Sequence, residues 1–187
     1  MTSSNRYCYD YPRPAVSGDC VIFGFDGEDL NVLLIERGKD PYKGRWTFPG
    51  GFLDMDETTL QCAERELMEE TGIGGLKLVQ LGAFSGVDRD PRGRVITIAY
   101  FTVVRISDTN PVAGDDAANA GWFRVKDIPP LAFDHDLVMR AAIGRLRTLV
   151  NSGTAELPAK DINFSGPEMD KLKTEVLNLK FEPYLPE

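Results

Sequence analysis

The chain has 187 residues, 42% of them hydrophobic and 27% charged, a composition that fits one globular domain with a real core and excludes a disordered or membrane-embedded chain. Twenty-nine acidic residues against 21 basic ones leave a net charge of −8. No stripe rich in Lys and Arg runs through the sequence, so a nucleic-acid partner is not expected.

In chain order, the opening "MTSSNRYCYDYPR" lacks the apolar centre of a secretory signal. With "YCYDYPRPAV" it reads as an extended arm leading into the first strand. "CVIFGF" and "NVLLIER" are strand-like runs separated by the turn signal "DGEDL", which predicts a hairpin. "PYKGRWTFPGG" reads as a loop rich in Pro and Gly. Residues 58–71 contain neither Gly nor Pro and predict a helix, with Thr58 and Gln61 as a capping box and Gly72 as its stop.

"LKLVQLGAFSGV" and "RVITIAYFTVVRI" predict two strands, with Asp90-Pro91-Arg92-Gly93 between them as a type I turn. The apolar run in the second is long enough for a buried strand and too short to cross a bilayer, so no membrane partner is expected. "GWFRV" predicts a short strand. "FDHDLVMRAAIGRLRTLV" predicts an amphipathic helix with Leu137, Ala141, Leu146 and Leu149 among its apolar positions. Residues 169–179 are a further helix candidate. Cys8, Cys20 and Cys62 form no CxxC pair, which fits a reducing cytoplasm and neither a disulfide scaffold nor a thiolate zinc site.

The chemistry gathers in "GGFLDMDETTLQCAERELMEETGI". At about 100° per residue, Glu66, Glu69 and Glu70 fall in a fan of roughly 100° on the helix surface. Leu60, Ala63 and Leu67 lie about a third of a turn away and face a core. Arg65 precedes Glu69 by four residues and is placed to pair with it. Like charges this close stay ionised only if a cation or bound protons compensate them. Hard oxygen ligands suit Mg²⁺ or Mn²⁺ better than zinc. A solvated acidic face with an ion pair is what such runs usually are. Here the preceding "FPGG" shifts the reading, because glycine lets backbone approach closely and Gly50 could offer its carbonyl to the same ion.

Gly51, five residues, Glu57, seven residues, Arg65-Glu66-Leu67, one residue, Glu69-Glu70, one residue, Gly72-Ile73: this series resembles the Nudix box, GX5EX7REUXEEXGU, with every fixed position filled. The resemblance implies an α/β Nudix fold, a mixed β-sheet sandwiched between α-helices. It also implies hydrolysis of a nucleoside diphosphate linked to a further moiety. Carried over by position, Glu66, Glu69 and Glu70 become metal ligands and Arg65 their orienting partner. Glu57 becomes a supporting acidic residue counted with the metal set, and Gly50 and Gly51 form the tight turn leading in. The proton acceptor is one of the three glutamates, or Asp115 or Asp116, since relatives often carry an acid in the loop before a Trp-bearing strand such as "AGWF". Asp116 is preferred.

Residues 86–101, "GVDRDPRGRVITIAYF", together with "LAFDHD" and "YPRPAV", resemble bacterial ADP-ribose pyrophosphatases. That implies a small nucleotide as the partner, and homodimers are common in that group. Arg89, Arg92 and Arg94 surround a turn from which guanidinium forks could reach phosphate or ribose, or simply solvate a hairpin tip. Tyr42, Trp46 and Phe48 are candidates to stack on adenine, or else core residues. Cys62 reads as a packing residue and His135 as a structural histidine near a helix start. The competing readings are an ADP-ribose-sensing domain related to transcription regulators, and a Nudix hydrolase acting on NADH, nucleoside triphosphates or sugar nucleotides. Residues 1–150 are read as the domain, arm included, and residues 151–187 as a C-terminal extension to which the sequence assigns no role.

Overall fold

The computed structural model describes residues 9–114, 117–152 and 164–182. Strand β1 (Ala15–Phe25) and β2 (Leu30–Arg37) form the expected hairpin, with Phe25 opposite Leu30. β1 also runs parallel to β6 (Val95–Arg105) over eleven paired positions, and β6 is flanked by antiparallel β5 (Val79–Phe84). β7 (Ala117–Arg124) closes on β2. The result is one seven-stranded mixed sheet.

Successive β1 side chains point to opposite faces, and helices cover both, so the strand's whole C-terminal half is buried. Cys20 and Ile22 meet Ala63 and Leu67 of α1 (Thr59–Thr71) on one face. Val21, Phe23 and Phe25 join Val138, Met139 and Leu146 of α2 (His135–Ser152) on the other. α3 (Gly166–Asn178) adds Leu172 and Val176 to that second core. The α/β/α sandwich implied by the glutamate motif is therefore present.

Three local expectations need correction. The Pro- and Gly-rich segment after β2 is not all loop. It contains β3 (Trp46–Thr47), paired with β2, and β4 (Gly50–Phe52), paired with β1. Two or three residues are too few to show a period, so their strand state comes only from the neighbouring edges. The buried stripe of α2 is Val138, Met139, Ala142, Ile143, Leu146 and Val150, while Leu137 is 37% exposed and Ala141 and Leu149 are only partly covered. Arg147 on the same helix turns toward α3 and the segment after it, donating to the carbonyls of Val176, Leu179 and Phe181. On α1, Leu60 is likewise 37% exposed, and Cys62 takes the buried place beside Ala63.

The predicted cap of α1 is present. Thr58 Oγ1 accepts the Gln61 N–H, Gln61 Oε1 accepts the Thr58 N–H at 2.8 Å, and Gly72 closes the helix with φ 69°. Thr58→Ala removes half of this box and is expected to lower stability by about 1 kcal/mol, read as a reduced denaturation midpoint at constant m-value.

Candidate functional site

Arg65 organises the glutamates more extensively than a single i,i+4 pair. Its Nε and Nη2 donate to both oxygens of Glu57 at 3.0 and 2.7 Å, its Nη1 to Glu66 at 2.6 Å and Glu69 at 3.2 Å, and its Nη2 to the Phe52 carbonyl at 3.2 Å. The Arg65 hydrogen bonds, with one from the Asp54 N–H, pull the Glu57 carboxyl down to about 2. Glu57 thus anchors Arg65, with both oxygens already engaged.

The other carboxylates differ from one another. Glu69 has a side chain 58% exposed, on the outer edge. Burial raises the Glu66 carboxyl above its ordinary value despite Arg65. Glu70 is raised furthest, to about 8, by burial and by the neighbouring charges of Glu66 and Asp19, against the Gly50 N–H donated at 2.8 Å and the charge of Arg37. Glu70 makes no direct ion pair among the described residues, and Arg37 is its nearby positive charge. Gly51 makes room for this arrangement, since a Cβ there would sit 2.2 Å from Glu66 Oε1.

Glu70 lies at one end of a pocket into which several elements converge. β1 supplies Asp19, the β3–β4 turn supplies Thr47, Phe48 and Gly50, and the end of β2 supplies Arg37. The β5–β6 loop supplies Arg89, Asp90 and Arg92, and the start of α2 supplies Phe133 and His135. The Ala132 N–H donates to the Trp46 carbonyl at 2.8 Å, which lays the start of α2 across the β3–β4 turn. Its lining mixes the carboxylates Asp19, Glu70 and Asp90 with the cations Arg37, Arg89 and Arg92. Burial, then the nearby Arg92 charge, lowers the Arg37 guanidinium below its ordinary value. Asp90 and Glu70 oppose that effect, and Asp90 pairs directly with Arg92.

The anticipated substrate residues are placed unequally. Arg89 lines the pocket but is committed to a buried bidentate pair with Asp134, at 2.9 and 2.5 Å, and to Thr97. Arg92 pairs with Asp90 at 2.7 Å, and its guanidinium lies 4.7 Å from the Phe52 ring and 5.3 Å from the Phe133 ring. Arg94 lies outside the pocket lining and donates to the carbonyls of Ser85 and Gly86, tying down its own loop. Tyr42 meets Phe133 edge-on at 4.9 Å. Trp46 packs on Phe123 at 4.4 Å, and Phe48 is 1% exposed and stacked on His135. Asp115 and Asp116 lie outside the described residues.

Asp19, Arg37 and Phe133 were not anticipated. A lone aspartate within the otherwise apolar "CVIFGF" approach was the available signal for the first, because a strand buried on both faces rarely carries a charge without a task.

The segment leading to Asp115 is fixed to α1. Val112 N–H donates to the Thr71 carbonyl at 2.9 Å and Gly114 N–H to the Glu70 carbonyl at 3.1 Å. A Cβ on Gly114 would fall 1.8 Å from the Glu69 carbonyl oxygen. Gly114→Ala is therefore expected to lift this segment from the helix and lower stability by about 1–3 kcal/mol, measured by thermal unfolding.

Among the described residues, no three acidic, His or Cys side chains converge closely enough to ligate one ion, because Arg65 Nη1 stands between Glu66 and Glu69. The donor set still fits a hard divalent cation in its chemistry: all oxygen, partly buried, with Glu70 short of positive charge.

A mixed sheet between helices, with a carboxylate-bearing helix reached through a double-glycine turn, defines the Nudix class of phosphate-handling domains. The chain belongs to the NUDIX domain family, whose model matches residues 13–142. It is 39% identical over 130 residues to the ADP-ribose pyrophosphatase of Methanocaldococcus jannaschii, an alignment covering 70% of this chain and 73% of that one. It is 35% identical over 141 residues to the ADPR responsive transcriptional repressor NtrR of Acinetobacter baylyi, covering 73% of this chain and 56% of the repressor. Among solved structures, the NUDIX domain of Shewanella oneidensis NrtR complexed with ADP ribose superposes with a TM-score of 0.70 at 29% identity, covering 78% of this chain and 99% of that domain. No helix among the described residues is long and apolar enough to cross a membrane.

Proposed function

We propose that this chain hydrolyses the pyrophosphate of ADP-ribose to AMP and ribose 5-phosphate. The observation that carries this reading is one pocket lined both by Glu70, whose carboxyl burial raises to about 8, and by the cations Arg37 and Arg92. Similarity to an ADP-ribose pyrophosphatase supports the choice of substrate. Glu66, Glu69 and Glu70, with the Gly50 carbonyl, are the groups that would hold Mg²⁺ or Mn²⁺. When bound, the ion neutralises phosphoryl oxygens and makes water a better nucleophile.

The protein's own part is positioning and charge. Arg65, anchored by Glu57, sets the rotamers of Glu66 and Glu69. Arg37 and Arg92 neutralise the substrate's remaining negative charge. Water attacks one phosphorus, the bridging P–O bond breaks toward the other phosphate, and a carboxylate takes the water's proton. Asp116 is assigned that last role, two residues beyond the Gly114 contact with α1.

The test is a panel of ADP-ribose, NADH, nucleoside triphosphates and sugar nucleotides incubated with Mg²⁺ and resolved by chromatography. AMP with ribose 5-phosphate from ADP-ribose, abolished by a chelator, is expected. Faster release from another member of the panel would reassign the substrate.

A second reading, an ADP-ribose sensor, is favoured by the likeness to NtrR and to the ADP-ribose-complexed NUDIX domain. The filled glutamate motif argues for turnover instead. Tight binding of ADP-ribose without AMP release, together with salt-dependent binding to DNA, would select the sensor. The proposal also places the enzyme in the cytoplasm as a homodimer, for which light scattering reads the oligomeric state.

A further inference from the structure

The chain's one histidine has no part in the chemistry above, yet His135 is only 3% exposed at the floor of the pocket. Its Nδ1 accepts the Phe48 backbone N–H at 3.2 Å and lies 3.0 Å from the Thr47 hydroxyl. A backbone N–H can only donate, so Nδ1 is unprotonated and the ring hydrogen sits on Nε2. Nε2 faces Asp19 Oδ2 at 3.5 Å, and Phe48 stacks on the ring at 4.9 Å with an interplanar angle of 13°. Asp19 is 6% exposed, and among the described residues no Lys or Arg pairs with it.

The same carboxylate backs Gly50, where a Cβ would fall 2.4 Å from Asp19 Oδ1. From Phe48 the chain passes through Pro49, whose carbonyl accepts the Cys20 N–H at 2.8 Å. It then reaches Gly50, whose N–H is donated to Glu70. The turn is thus held by His135 at one end and by β1 at the other, and Glu70 receives the group the turn delivers.

We propose that His135 and Asp19 form a positioning pair that fixes the 47–50 turn and so aims the Gly50 N–H at Glu70. His135 acts through the turn, not on the reacting atoms. The geometric claim stands alone, and its effect on turnover rests on the ADP-ribose reading. Outer partners that orient a reacting carboxylate typically contribute about 10- to 100-fold to activity.

Because His135 is the single histidine, ¹⁵N spectra of the full labelled chain report it alone. The expected signature is a neutral imidazole protonated on Nε2. In His135→Leu, the Gly50 amide resonance should shift, with kcat for ADP-ribose falling about 10- to 100-fold at nearly constant KM. His135→Asn, whose side-chain oxygen can accept the Phe48 N–H, should recover most of that loss. Asp19→Asn should shift the same amide, and it serves if His135→Leu does not fold. An imidazole protonated on Nδ1, or an unmoved Gly50 amide in these variants, overturns the proposal. If the wild type releases no AMP, the functional reading fails while the imidazole and amide signals still decide the pair.

Discussion

Glu70→Gln is expected to reduce turnover of ADP-ribose by about 10³-fold while leaving the fold intact. Glu70 is the carboxylate with least compensation, buried near Glu66 and Asp19 and held by one N–H. The amide keeps that hydrogen bond through its own oxygen but cannot ionise to ligate a cation. A carboxyl that folding raises above its ordinary value does not stabilise the protein through its charge, so the melting temperature should hold or rise. Steady-state kinetics beside a thermal melt separates the two effects. Ordinary activity in a folded Glu70→Gln protein would contradict the role given to this residue.

The second large effect is expected at Gly51. A methyl there would fall 2.2 Å from Glu66 Oε1 and 2.3 Å from its Cδ, a distance at which something must move. The atom displaced is the end of a side chain, so the fold should survive while the carboxylate shifts off its Arg65 partner. Misplacing a reacting group by about 1 Å costs roughly 100-fold in rate, and a loss of that size in kcat/KM is predicted for Gly51→Ala. Gly144→Ala is the control. Nothing lies within 4 Å of the added methyl in the interior of α2, so it should stabilise by about 0.5–1 kcal/mol and leave activity unchanged.

Most of the acidic half of the site was legible in the sequence, for a physical reason. Glu57, Arg65, Glu66, Glu69 and Glu70 belong to one helix and its lead-in, so their spacing along the chain fixes their spacing in space. The cap at Thr58 and the stop at Gly72 are equally local. The basic half was partly hidden. Arg37 ends β2, Arg92 belongs to the β5–β6 loop and Phe133 precedes α2, and only the folded sheet brings them together. Arg89 resembled a phosphate ligand in sequence, yet its guanidinium is taken up by Asp134, a partner 45 residues away. His135 lies at the start of α2 as read, but its contacts with Thr47, Phe48 and Asp19 are tertiary and leave no mark in the local sequence.

The α2 face shows the same limit on a smaller scale. Periodicity located the helix, whereas which of its faces is buried depends on packing against the sheet and α3 that no local pattern shows. β6 was plain from its apolar run, but only the second half of β1 was. The first residues of β1, 15–19, lack an apolar run and are held by pairing with β6 and β4. β3 and β4 were not plain, because their pairing is imposed by β2 and β1.

Manganese soaked into crystals of the wild-type protein, with anomalous scattering recorded above and below the metal edge, tests most directly why these carboxylates are gathered. Anomalous peaks beside Glu66 and Glu70, with AMP appearing from ADP-ribose in the same buffer, are the predicted result. A protein that stays ordered, shows no peak at that cluster and releases no AMP would contradict it.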